Sequence, residues 1–395
     1  MTRPPFPSVI DSSLMSHFRA CPRSAYLESF EHWKIKSKSV HLHAGAAFAR
    51  GLEVARLGFY QDGRTEEDAI SRGLTALMEA YGPFECPPDS AKSLERMCGA
   101  FEFYFSQFPM RTASLKPASL PGGRLGIESS FAEPIDLEHP ETGDPLLYCG
   151  RFDMIGEYAG QIFGEDDKTA SQLGPSWAKQ WDLRSQFTAY TWGARRAGID
   201  MTGFMVRGVS ILKTKYDTQQ AITYRPQWQL DRWYEQTLKD VQRMIQMWDS
   251  GAFDYNLDES CNSYGGCQFR KICLAEPARQ INWLHTDFER RRWDPVTRVE
   301  TRLPIDWPEA QPPAGYTADE LDADNPHNAW MKDVEICDAI PSSPECRTRD
   351  SRRLLPTARL PFCSRLVCWH ALQGRQPRLA RLVLLQNRKR RQLCP

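Results

Sequence analysis

The 395-residue chain has no run of eighteen apolar residues, and its first residues lack the basic start and apolar core of an export signal. Both absences point away from membranes and secretion, toward a cytoplasmic protein. The chain also lacks the G-x-x-x-x-G-K-[ST] spacing that cradles nucleotide phosphates, so it carries no ATP-driven motor of its own. Net charge is absent as well, with 50 basic and 50 acidic residues. What remains is an ordinary globular composition, 41% apolar and 25% charged, long enough for one large domain with appendages or for two domains. Twelve cysteines in a reducing compartment are better suited to free thiols or metal ligation than to disulfides.

The chemistry concentrates between Gly150 and Tyr190. Leu147 to Gly156 is rich in strand formers and contains Gly150-Arg151-Phe152-Asp153. Tyr158 to Gln161 supplies a turn, and a second apolar run leads into Glu165-Asp166-Asp167-Lys168. A hairpin of this size brings Asp153 close to Asp166. Two adjacent carboxylates repel, and a hard divalent cation with oxygen ligands neutralises them. Lys168, two residues beyond Asp166, projects from the same strand face and can hold a water or a phosphate oxygen beside such an ion. That combination suits phosphodiester hydrolysis. Gln186 and Tyr190, four apart, share one face of the helix predicted over 177–197.

These residues resemble the PD-(D/E)XK nuclease superfamily, and within it the RecB-like exonucleases, including CRISPR-adaptation nucleases and phage relatives. Asp153 matches the first acidic position, Asp166-Asp167-Lys168 the (D/E)-x-K tripeptide and Gln186-Phe187-Thr188-Ala189-Tyr190 the Q-x-x-x-Y motif. The resemblance implies an α/β fold, a mixed central sheet flanked by helices. It also implies a Mg²⁺- or Mn²⁺-dependent deoxyribonuclease acting on DNA. Asp153, Asp166 and the Asp167 backbone carbonyl would be metal ligands, Lys168 the catalytic lysine, and Gln186 and Tyr190 site residues. Glu128, on a strand predicted over 126–131, is a further candidate ligand. Many relatives carry G-x-x-x-H in an early helix. Here Gly45-Ala46-Ala47-Phe48 is followed by Ala49, so Glu53 or His43 would have to substitute.

Helices are also predicted over 66–81, 93–108 and 229–250, and strands over 204–212 and 221–226. Beyond them, Cys261, Cys267 and Cys273 follow a C-x5-C-x5-C spacing around Gly265-Gly266 and can converge on one centre with a fourth thiolate. Cys21 is the natural partner, because Phe18 to Leu27 resembles the cysteine-proline opening of the family's iron-sulfur members. Four thiolates suit zinc or an iron-sulfur cluster. The resemblance favours 4Fe-4S, with a structural role, over zinc or uncoordinated thiols.

The nuclease-like region is therefore expected over 1–285, with an N-terminal helical part and a cysteine-clipped C-terminal segment. A proline-rich and acidic extension over 286–341 and a basic tail over 342–395 follow. The tail holds 13 Lys plus Arg against Glu345 and Asp350, leaving 37 basic and 48 acidic residues in the rest. It suits nonspecific phosphate contacts, folding back on the acidic body, or disorder. The expected setting is a bacterial or phage-infected cell, in recombination, repair, CRISPR adaptation or phage DNA metabolism, with any helicase supplied as a partner. Two opposing possibilities are a DNA-binding scaffold subunit that keeps the fold without turnover, and a zinc-stabilised nucleic-acid-binding protein.

Overall fold

The computed structural model describes residues 3–37, 39–263 and 266–305. Most of the acidic extension and all of the basic tail lie outside the described residues.

The chain begins with β1 (Val9–Ile10), α1 (Ser12–Ala20), α2 (Pro22–Ala25) and β2 (Trp33–Ile35). Asp11 caps α1 by accepting from the Leu14 N–H at 2.7 Å. Pro22 restarts the helix after Cys21 from a first position that needs no N–H. Next come α3 (Val40–Arg56), α4 (Glu66–Tyr81) and α5 (Leu94–Gln107), the latter two close to their predicted spans and capped by Thr65 and Ser93. A Cβ on Gly51 would lie 2.9 Å from the Gly73 carbonyl oxygen, so glycine lets α3 and α4 cross in near-backbone contact.

The strands β3 (Lys116–Pro117), β4 (Ser130–Glu138), β5 (Pro145–Arg151), β6 (Met154–Tyr158) and β7 (Gln161–Ala170) precede α6 (Pro175–Lys179) and α7 (Ser185–Arg196). Then follow β8 (Met201–Ile211), β9 (Tyr216–Tyr224), α8 (Gln227–Ser250), α9 (Glu259–Asn262), α10 (Arg270–Leu274), α11 (Pro277–Asp287), β10 (Phe288–Asp294) and β11 (Val299–Arg302). The central sheet runs β3-β6-β7-β8-β9, with β7 and β8 parallel across the α6–α7 connection and the other pairs antiparallel. Smaller sheets join β1-β5-β4 and β11-β10-β2.

Alternation along β8 feeds two layers. Phe204 and Val206 enter the core with Phe187 of α7 and with Trp233 and Trp248 of α8, whereas Val209 and Ile211 meet Phe48, Phe101 and Tyr104 of α3 and α5. Phe187 stacks on Phe204 with centroids 4.5 Å apart, and burying each such ring contributes about 2–3 kcal/mol. The result is a mixed α/β architecture, a sheet between helical layers.

Three local expectations are corrected. The run from 147 to 156 breaks at Phe152 and Asp153, because β5 pairs with β1 and β4 while β6 joins the central sheet. The helix predicted over 177–197 is two helices, interrupted where the Arg225 guanidinium donates to the Trp181 carbonyl at 2.6 Å. The strand predicted over 126–131 begins only at Ser130, since Glu128 turns the chain with φ 53°.

Candidate active site

On β7, successive side chains point to opposite layers. Asp166 and Lys168 face α7, while Glu165 and Asp167 face α3 and α5. Met154 of β6 pairs with Glu165, so Asp153, one residue earlier, sits beside Asp166 and Asp167. The Asp153 carboxylate accepts from the Asp167 N–H at 3.2 Å. The N–H and C=O of a strand residue point to the same side, so the Asp167 carbonyl is directed toward Asp153 as well. Lys168 Nζ lies 2.6 Å from Asp166 Oδ1. Phe152 fixes the approach from β5: it is buried against Phe131, Tyr190 and Phe204. Gly150 leaves room for the Tyr190 ring, which would lie 2.5 Å from a Cβ placed there.

Burial and mutual repulsion dominate the electrostatics. Asp153 is pushed up to about 7, by burial first and then by Asp166, with Lys168 pulling the other way. Burial also raises Asp166, against the pull of Lys168 and, more weakly, Arg184. Burial would lower Lys168, but Asp166 and Asp153 outweigh it and hold the side chain as an ammonium. Tyr190 is pushed up to about 12, chiefly by burial. The neighbouring Gln186 side chain works against that shift, and Asp166 and Asp153 reinforce it.

On the opposite face of β7 is a set of residues that sequence reasoning missed. Arg56 of α3 pairs with Glu165 and, at 2.7 Å, with Asp167. Arg207 of β8 meets Glu165 at 2.9 Å, and the Tyr104 hydroxyl donates to Asp167 at 2.5 Å. Glu165 is wholly buried and both arginines nearly so. The signal was present in the sequence: Glu165-Asp166-Asp167 puts acids on both faces of a buried strand, and the face without the lysine needs cations from elsewhere.

The remaining candidates divide. Gln186 and Tyr190 of α7 border the carboxylate pair and, with Arg151 and Arg184, line a cleft of about 800 Å³. Glu128 is adjacent, its backbone N–H donating to the Asp153 carbonyl at 3.2 Å, but its carboxylate is ion-paired with Arg151. Glu53 lies 2.9 Å from Arg50 and 3.7 Å from the same Arg151. His43 faces elsewhere: its Nε2 is 2.8 Å from the Tyr81 carbonyl and its ring stacks on Phe84, which removes it as a substitute for the histidine absent at Ala49.

Cys21, Cys261, Cys267 and Cys273 are free thiols of intermediate exposure. Burial raises the Cys273 thiol, and Cys267, Cys21 and Cys261 raise it further, so each of the three acts on Cys273. The N-terminal segment is tied to the later one: the Arg23 N–H donates to the Asp254 carbonyl at 2.9 Å, and Gln268 donates to Glu28 at 2.7 Å.

Among the described residues, no group of three or more His, Cys, Asp or Glu side chains is arranged to hold a metal ion. Two buried carboxylates and a backbone carbonyl nevertheless fit Mg²⁺ or Mn²⁺, which take one or two carboxylates and leave other positions to water and phosphate. Asp166 Oδ1 is buried and already faces positive charge, the Lys168 ammonium 2.6 Å away.

The family model of the PD-(D/E)XK nuclease superfamily matches residues 12–274, two thirds of the chain and all of the elements just described from α1 to α10. The protein belongs to that superfamily. Among solved structures it is similar to a protein from Eubacterium rectale provisionally named an exonuclease, at 13% identity over 65% of this chain and 88% of that one, with a TM-score of 0.40. SSO0001 is also similar, at 13% identity over 59% and 84%, with a TM-score of 0.26. A search of curated proteins finds no match.

Proposed function

We propose that the protein is a Mg²⁺- or Mn²⁺-dependent DNA nuclease, working as an exonuclease of the RecB-like kind. The observation that carries this reading is the convergence of Asp153, Asp166 and Lys168 beside a cleft lined by Arg151, Arg184, Gln186 and Tyr190. Asp153, Asp166 and the Asp167 carbonyl would hold the ion. When bound, it supplies positive charge at the phosphate and lowers the pKa of water. The Lys168 ammonium orients the attacking water or a phosphate oxygen and stabilises charge developing on the phosphate. Arg184 holds the strand through its phosphates, Arg151 does so on leaving its Glu128 and Glu53 partners, and Tyr190 and Gln186 close the side toward α7. Glu128 would join the ion only by exchanging its Arg151 partner for it.

The four cysteines would carry a 4Fe-4S cluster that clips the N-terminus to the segment after α8, with zinc as the alternative ion. A DNA role in recombination, repair, CRISPR adaptation or phage metabolism inside the cell accords with this chemistry, and unwinding would come from a partner helicase. The non-catalytic scaffold alternative draws on Ala49, where relatives of this kind carry histidine. Cleavage of end-labelled DNA that requires Mg²⁺ and disappears in Asp166→Ala separates the two.

A further inference from the structure

We infer that the hairpin of β10 and β11 selects an unpaired strand for the cleft, with Trp293 as a stacking platform for a base. This rests on the nuclease function proposed above and names the form of DNA that the same cleft takes.

The hairpin contributes Trp293, Pro295 and Arg298 to the cleft that also contains Arg184, Gln186 and Tyr190. Glu289, Arg291, Glu300 and Arg302 of the hairpin are engaged with one another. Arg291 meets Glu300 at 2.8 Å, Arg302 meets Glu289 at 3.0 Å, and Lys34 of β2 meets Glu300 at 3.1 Å. Trp293 differs. It is 44% exposed, whereas Trp33, Trp177, Trp181, Trp192, Trp233 and Trp248 are buried, and the exposed Trp228 and Trp283 do not line the cleft. Among the described residues its indole makes no ring contact and no hydrogen bond.

The turn that follows Trp293 is also held in place. Asp294, the next residue, ties the turn by accepting from the Val296 N–H at 2.9 Å, the Thr297 N–H at 3.3 Å and the Thr297 hydroxyl at 2.7 Å. The Arg298 N–H donates back to the Asp294 carbonyl at 2.8 Å, with Arg298 at φ 62°. A solvent-facing indole on an ordered turn in an arginine-lined cleft has the chemistry of a single-strand site: the guanidinium groups take phosphates and the ring takes a base. Inside a duplex both faces of a base are covered by its neighbours, so the ring engages only a single strand or a frayed end.

The test is fluorescence anisotropy with a labelled single-stranded oligonucleotide and a blunt duplex of the same sequence, with Ca²⁺ in place of Mg²⁺ so that binding is read without cleavage. Trp293→Ala should weaken single-strand binding about ten-fold and duplex binding less than two-fold. Trp293→Phe, which keeps a ring, should recover most of the loss. Trp228→Ala, at an exposed tryptophan of α8 that does not line the cleft, should change neither. Equal losses on both substrates, or none on the single strand, would overturn the inference while leaving the nuclease function intact. Wild-type protein that binds neither substrate would overturn both.

Discussion

Lys168 Nζ lies 2.6 Å from Asp166 Oδ1, on the face of β7 that looks toward α7. The pair joins a cation that can act on a phosphate to an anion that can hold a metal, and only one intervening residue fixes their separation. Lys168→Ala should reduce cleavage about 10²–10³-fold, the usual loss when a charge-stabilising donor is removed. DNA affinity in Ca²⁺ should stay near wild type, as measured by anisotropy. Turnover at the wild-type rate would remove Lys168 from the mechanism.

Asp153 should make stability, and any metal binding, depend on pH. Burial, and after it Asp166, push its carboxyl from the ordinary 3.8 up to about 7. Between those values the folded state binds more protons than the unfolded chain, so stability contributed at low pH is lost as pH rises through about 7. A cation reverses this by stabilising the ionised pair. Mg²⁺ should therefore raise Tm more at pH 8 than at pH 6, and Asp153→Asn should remove most of that difference in a melting series.

Arg56 bridges Glu165 and Asp167 from α3, across the sheet from Asp166. Arg56→Ala should cost about 3–5 kcal/mol in urea unfolding, because it leaves two buried carboxylates with too little positive charge. A loss below about 1 kcal/mol would show that Arg207 and Tyr104 suffice.

For the cysteines, Cys21→Ala should lower both Tm and metal content, since binding energy at such a centre becomes folding energy. Iron with a brown colour after oxygen-free purification identifies the cluster, and zinc in colourless protein identifies the alternative. A normal melting curve with full metal content would exclude Cys21 as a ligand.

Much of the frame was legible in local sequence. The periodicity of α4, α5 and α8 and the strand-like composition of β8 depend on neighbours within a few residues, and the structure follows them closely. Long-range contacts hid the rest. The break between α6 and α7 depends on Arg225, 44 positions away from Trp181. The Arg56–Glu165 pair joins residues 109 apart. Glu128 reads as strand by composition, yet its backbone is turned to reach the Asp153 carbonyl. His43 was a substitute for the histidine absent at Ala49 by its nearness in sequence, but its ring packs on Phe84 and turns to the Tyr81 carbonyl.

The most direct test of the nuclease assignment is cleavage of end-labelled single- and double-stranded DNA by oxygen-free purified full-length protein, with Mg²⁺, Mn²⁺ or EDTA, beside Asp166→Ala. The expected result is metal-dependent shortening of the DNA by the wild type, absent with EDTA and absent in the variant. Wild-type protein that is folded, supplied with Mg²⁺ or Mn²⁺ and bound to DNA, yet leaves every substrate uncut, would contradict it and favour a scaffold role.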